Sequence, residues 1–226
     1  MYLKVNIDIS TLSRQQAEGV TGVVDVKPEP VPRLPRAQRR EQILGAATTA
    51  FARNGFTATG LDDIAAEAGI TRVLLYRHFD SKTDLYQAAL DRFCAVLSYH
   101  VAEPVGGFTD ASIDGLLKAA IAEPDGFRLL FAHAAREPEF KGLAERFRTD
   151  ITEIALLQIS TVVADQRWAR WAAQLAPTAA IESIIAWLDA GQPDPDLAAD
   201  RVRRVIAGVI TAAAASGGFD SLPDTT

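Results

Sequence analysis

GLDDIAAEAGITRVLLYRHF, residues 60–79, is the stretch on which the fold turns. Leu61, Ile64, Ala65 and Ala68 recur at the i, i+3, i+4, i+7 interval that gathers apolar side chains on one face of a helix. Asp62 and Asp63 fall in its first turn, where a carboxylate meets the positive end of the helix dipole. Gly69 stops the helix, since the left-handed conformation of a helix end costs glycine little. Ile70 then folds back, and Thr71 suits the N-cap of a second helix. In that second helix Leu75 and Phe79 are four apart and face inward, which leaves Arg72, Val73, Tyr76 and Arg77 outside. Two helices joined by a short glycine-containing turn form a helix-turn-helix, whose second member enters the major groove of DNA. Small Ala65 suits the place where the two helices approach closely. An ordinary helical hairpin would use the apolar positions equally well. It leaves unexplained two outward arginines and a tyrosine, with no acidic residue between Gly69 and Phe79.

The flanking segments fit a small helical head. A first helix is predicted from about Ala37 to Arg53, with Ile43, Ala47, Ala50 and Phe51 on one face and Gly55 past its end. Phe56 belongs to the same core. Thr57 and Thr59 lie in the loop before the reading pair, where a hydroxyl or backbone N–H can hold a phosphate. After Phe79 a long fourth helix opens with Ser81 as N-cap and Asp84 three residues on, close to a capping box. Lys82 at its start could contact a phosphate. Leu85, Ala89, Phe93 and Val96 make the stripe that joins head to body.

Residues 33–82 hold eight Arg/Lys against five Asp/Glu, a net +3, whereas residues 83–226 carry −8 of the chain's total of −6. A basic head on an acidic body binds DNA at one end. Before the head, Leu3, Val5, Ile7 and Ile9 alternate as in a strand without a clear partner, and Pro28, Pro30, Pro32 and Pro35 make a helix-averse linker. Residues 1–35 are therefore expected to form a mobile arm unless they pack on the body or on a second chain. Arg33, Arg36, Arg39 and Arg40 at its end could reach phosphates or the minor groove, or form a solvated basic tail.

From about Asp110 the chain reads as helix after helix, near 110–122, 125–135, 138–165, 167–190 and 195–215, with Pro177 expected to kink or divide the fourth. The last two are apolar enough, through Ile184, Leu188, Val202, Val205 and Ile210, to pair with a second copy in a four-helix interface. Phe127, Phe131, Trp168 and Trp171, with His133 as a polar partner, are the candidates for lining an effector pocket, although aromatics at helical spacing are also ordinary core. His133 and Glu137 share a helical face and are expected to form a hydrogen-bonded pair rather than half a metal site. No metal or cofactor is called for. There is no GxSxG, P-loop, HExxH or dinucleotide fingerprint, and no enzyme is expected. Cys94 is the sole cysteine, so no intrachain disulfide forms, and no apolar run reaches the roughly 20 residues of a membrane span. Together with the lack of a secretory leader pattern, these features fit a cytoplasmic protein.

Over residues 37–86 the elements ILGAATTAFARNGF, TGLDDIAAEAGIT and LYRHFDSKTDLY resemble the DNA-binding domain of the TetR family of bacterial transcriptional regulators. The resemblance implies an all-α protein with an arm at 1–35, a three-helix helix-turn-helix head at 36–82 and a helical effector-binding and dimerisation domain at 83–226. It further implies a homodimer, a double-stranded operator, and a small-molecule effector that changes the spacing of the two heads. By position, Thr59, Thr71, Tyr76 and Lys82 match phosphate-holding residues, and Arg72 and Val73 match residues that face bases. Arg77 and His78 could serve either purpose. Gly60 and Leu74 depart from the family pattern of a Ser or Thr cap and a small or hydroxylated residue. Gly60 costs a few tenths of a kcal/mol as a cap, and Leu74 either meets a thymine methyl or adds core.

Overall fold

The computed structural model describes residues 34–101 and 110–215. The strand-like alternation and the proline linker before Leu34, together with Arg33 and Phe108, lie outside the described residues. Helix α1 runs Arg36–Ala58 and is broken at Gly55, whose φ of 76° is open to glycine at little cost. The chain then turns into α2 (Leu61–Glu67) and α3 (Arg72–Tyr76). Gly69 at φ 63° ends α2, and Ile70 N–H donates back to the Ala65 carbonyl at 2.9 Å. Asp63 supplies one half of a capping box, its Oδ2 accepting from the Gly60 N–H at 2.8 Å, while Gly60 has no side chain to supply the other half. Helix α4 (Lys82–Val101) opens on Ser81, whose hydroxyl accepts from the Asp84 N–H at 3.0 Å.

The body comprises α5 (Asp110–Ala122), α6 (Pro124–Arg128), α7 (Lys141–Ile159), α8 (Gln166–Asp189) and α9 (Pro195–Ala214). The helix expected over 125–135 is instead three short pieces, α6 followed by a π turn at Leu129–His133 and a 3-10 turn at Ala134–Arg136. Gly126 explains the tight start. A Cβ there would lie 2.5 Å from the Phe93 ring, so α6 rests directly on α4. Helix α7 stops six residues short of 165, and Asp165 serves the next helix as N-cap, accepting from the Arg167 N–H at 2.8 Å. Helix α8 runs through Pro177 without division, and Thr178 donates its hydroxyl to the Gln174 carbonyl at 3.1 Å.

One core passes from head to body. Ile43, Phe51, Ile64, Leu75 and Phe79 of the head join Tyr86, Leu90 and Phe93 of α4, then Phe127, Leu130, Ile184 and Val202. Each large side chain so buried contributes about 1.5–3 kcal/mol relative to exposure. A second cluster is built on alanine: Ala169, Ala172, Ala173 and Ala176 of α8 against Ala155, Ile159 and Val163. Among the described residues there is no strand, and no helix is long and apolar enough to cross a membrane.

Candidate nucleic-acid interface

At five residues α3 is far below the length at which a helix stands alone. Its order comes from its underside. Leu75 and Phe79 are buried, the Arg40 guanidinium lies 4.9 Å above the Phe79 ring, and the Thr71 hydroxyl accepts from the Leu74 N–H at 3.3 Å. Gln42 of α1 adds a strut, donating to the Ala68 carbonyl at 2.7 Å. With that side pinned, Arg72, Val73 (67% exposed), Tyr76 (45% exposed) and Arg77 project into solvent from one short turn. Leu74 is half-buried.

The outward residues are organised. Arg72 donates from Nη1 to Asp62 Oδ2 at 2.8 Å and from Nη2 to the Tyr76 hydroxyl at 3.2 Å, with its guanidinium 5.6 Å from the Tyr76 ring. These contacts, Tyr76 first and Asp62 second, raise its already high pKa. Arg77 is exposed and has no side-chain partner among the described residues. His78 is half-buried, and its Nδ1 is enclosed without a hydrogen-bond partner among the described residues. Desolvation and the nearby charges of Arg36, Arg39 and Arg40 hold its pKa below the ordinary histidine value.

Two residues expected at phosphates face inward with their polar groups. Thr59 is buried, and its hydroxyl lies 2.6 Å from the Gly55 carbonyl and 3.2 Å from that of Ala50. Lys82 directs Nζ at the Phe56 and Thr59 carbonyls, at 2.8 and 3.1 Å, and over the Phe56 ring at 4.3 Å. One of its three donors stays free. Both hold the turn that follows Gly55. The Thr71 hydroxyl, an acceptor for its own helix, keeps its proton to donate outward.

From the body side Glu137 closes the same turn. Its carboxylate accepts from the Phe56 N–H at 3.1 Å and the Thr57 hydroxyl at 3.4 Å, across eighty residues of sequence. The expected His133–Glu137 hydrogen bond is absent among the described residues; both side chains instead border Gly55. Nearby, Phe51, Phe56, Tyr86 and Phe140 pack edge to face, and the Tyr86 hydroxyl is enclosed without a partner among the described residues. Burial, followed by the Glu137 charge, raises the Tyr86 pKa far above the usual phenol value.

The candidate pocket residues do not converge. Phe131, with Leu130, Phe147, Ile151 and Ile181, lines a cavity of about 70 Å³ between the π turn, α7 and α8. Arg148, Thr152, Gln174 and Thr178 lie both on its lining and on an open groove beside it. A second cavity, about 150 Å³, lies between α7, α8 and α9 and is walled by Gln158, Ile159, Pro177, Ile206 and Ile210. Phe127 is fully buried against Phe93 and Phe131, and His133 is turned to α1. Trp168 and Trp171, 49% and 40% exposed, stack on each other on the outer side of α8. Their i, i+3 interval marks one face, and the alanines at 169, 172, 173 and 176 mark the inner one. Arg128 is tied to Asp189 at 2.8 Å. Cys94 is half-buried, its thiol pKa raised by burial and then by Asp91, and no group of three potential metal ligands occurs among the described residues.

A pinned underside, a glycine turn and a solvent-facing row of Arg, Val, Tyr and Arg define a helix-turn-helix protein with an all-helical body. Residues 43–89 match the model of the bacterial regulatory proteins of the tetR family. The chain is similar to the transcriptional activator FasR of Mycolicibacterium smegmatis, 37% identical over 105 residues, covering 44% of this chain and 48% of the relative. It is also similar to the transcriptional regulator AlkX of Mycobacterium tuberculosis, 29% identical over 155 residues, covering 69% and 68%. The first match thus spans about half the length of that relative. A TetR-like regulator from Rhodococcus sp. RHA1 shares the fold, with a TM-score of 0.67 over 79% of this chain and 99% of that one at 24% identity. Residues 43–89 thus match the DNA-binding domain of the TetR family, and the described residues share the all-helical fold of the TetR-like regulator.

Proposed function

We propose that this chain is a dimeric repressor that reads a palindromic operator with α3 and releases it when a small apolar or aromatic compound binds the body. The observation that carries this reading is the outward row of Arg72, Val73, Tyr76 and Arg77 on a helix whose other side is fixed in the core. Arg72 and Val73 meet base edges. Tyr76, Thr71 and the free donor of Lys82 meet phosphates, and Arg77 and His78 flank them. Thr59 contributes through the turn it holds, since its hydroxyl is engaged internally. The functional division is an arm at 1–35, a head at 36–82 and a body at 83–226, although one core joins the last two.

Dimerisation is assigned to α8 and α9, supported by the exposed Leu175, Leu197 and Val205 on that pair. The effector is assigned to the seam of α7 and α8, supported by the two apolar cavities there. Release follows from differential affinity. An effector that favours one spacing of the heads shifts the population away from the DNA-competent one.

The test is selection of bound fragments from a randomised duplex pool by the purified chain near physiological salt, followed by sedimentation of the complex. A palindrome bound by two copies is the expected result, and Val205→Arg should yield monomers with weakened operator binding. Salt-sensitive binding without base preference would overturn the reading. A second reading, transcriptional activation, is favoured by the similarity to the activator FasR. In vitro transcription from a promoter carrying the selected site decides between them by its sign.

A further inference from the structure

A side chain as long as that of Arg72 reads a base pair well only when it is held in one place. We propose that Asp62, on the first helix of the pair, is a positioning residue for sequence reading: its carboxylate holds the Arg72 guanidinium, with the Tyr76 hydroxyl as a second stay. The proposal rests on the assignment of Arg72 to base reading and goes beyond it to a residue that touches no base.

The geometry is specific. Asp62 Oδ2 receives Nη1 at 2.8 Å, and Nη2 reaches the Tyr76 hydroxyl at 3.2 Å. Arginine offers five N–H donors, so three remain, and a bidentate contact to guanine needs two. Arginine in solution samples many rotamers, and a guanidinium already anchored loses less freedom when it docks.

Apart from its place in the first turn of α2, the Asp62 carboxylate has no hydrogen-bond partner other than Arg72 among the described residues. Its neighbour Asp63 caps the helix, accepting from the Gly60 N–H. The Asp62 and Arg72 side chains are 73% and 51% exposed, and an exposed pair of this kind adds little to folding stability. A carboxylate beside the reading face also repels phosphates, which lowers affinity for every sequence alike. Its effect on Arg72 offsets that cost where it counts, in the difference between one base pair and another.

Full-length wild type, Asp62→Ala, Asp62→Asn and Arg72→Ala would each be run through selection from a randomised duplex pool. Sites differing at single base pairs and a duplex of unrelated sequence are then titrated. Arg72→Ala is expected to lower discrimination at one base pair per half-site by about five- to a hundredfold. Asp62→Ala should lower it at the same base pair by about two- to fivefold, while binding of the unrelated duplex tightens. Asp62→Asn, whose amide oxygen still accepts from Nη1, should keep most of the preference. Wild-type base ratios in Asp62→Ala beside altered ratios in Arg72→Ala overturn the positioning role alone, as does a loss spread evenly over all positions. Unchanged ratios in Arg72→Ala overturn the reading of Arg72, and the role of Asp62 with it.

Discussion

The outer face of α3 and the seam between α7 and α8 both present side chains to solvent, but they are built in opposite ways. On α3 every donor stands on a filled core, with Leu75 fully buried beneath Arg72 and Tyr76. Along the seam the helices meet through alanines, and two cavities remain beside Pro177. A surface that reads hydrogen-bond patterns needs fixed donors. A surface that senses a ligand needs room to repack, and low packing density marks the region where local opening costs least.

The strongest challenge to this contrast is Leu75→Ala. Truncation at a fully buried site is expected to cost about 2–5 kcal/mol, read as a lowered midpoint of denaturant unfolding, and to abolish operator binding. Val73→Ala, two residues away and exposed, should leave stability within about 0.5 kcal/mol while weakening operator binding. Equal destabilisation by both would mean that α3 is not a rigid platform.

Glu137 links the two regions. It sits one residue beyond the 3-10 turn, and that turn together with the π turn contributes Leu130, Phe131 and Ala135 to the cavity wall. Glu137→Ala strips the half-buried Phe56 N–H of its acceptor, at an expected cost of about 1–3 kcal/mol. Glu137→Gln, which keeps an amide oxygen, should cost less. Both would be read by thermal unfolding beside operator titration. Operator affinity unaffected by either change would remove this contact as a route from the cavity to the head.

A milder effect is expected from Ala135→Leu, which adds side chain into the seam cavity. Overpacking a tight core costs about 1–3 kcal/mol. If the seam has slack, this variant should lose less than about 1 kcal/mol and still weaken operator binding by displacing the 3-10 turn. A full overpacking penalty would show that the cavity wall does not yield.

The head was legible because helical periodicity alone assigns its buried residues: Ile43, Ala47, Phe51, Ile64, Leu75 and Phe79 all lie where the 3.6-residue repeat puts them. Family position pointed to Thr59 and Lys82 as phosphate ligands, and the structure adds a role the sequence did not report: the Thr59 hydroxyl and Lys82 Nζ hold carbonyls of the turn around the break of α1 at Gly55. That depends on how the chain turns after a left-handed residue, which no periodicity reports. The tryptophans of α8 mislead for another reason. Bulk suggests burial, but the tightly packed face of α8 is the alanine stripe, and its spacing was present in the sequence all along. Local spacing paired Glu137 with His133 and gave no sign of its partners at Phe56 and Thr57, about eighty residues away.

The smallest expected effect tests whether His78 belongs to the platform or to the contact. Its folded pKa lies below the ordinary 6.5, so as pH falls through about 6.5 the unfolded chain takes up the proton first. The stabilising contribution is therefore complete above that pH and declines below it, and wild type should lose melting temperature on acidification to a degree that His78→Gln does not. A phosphate docked beside the imidazole acts with the opposite sign, raising its pKa in the complex. Operator affinity of wild type, compared with His78→Gln across about pH 7.5 to 5.5, should then strengthen as the pH falls. Loss of stability together with a gain in affinity would assign the histidine to both surfaces. A pH-dependent melting temperature with an affinity difference that stays flat would make it only a spacer under Arg36, Arg39 and Arg40.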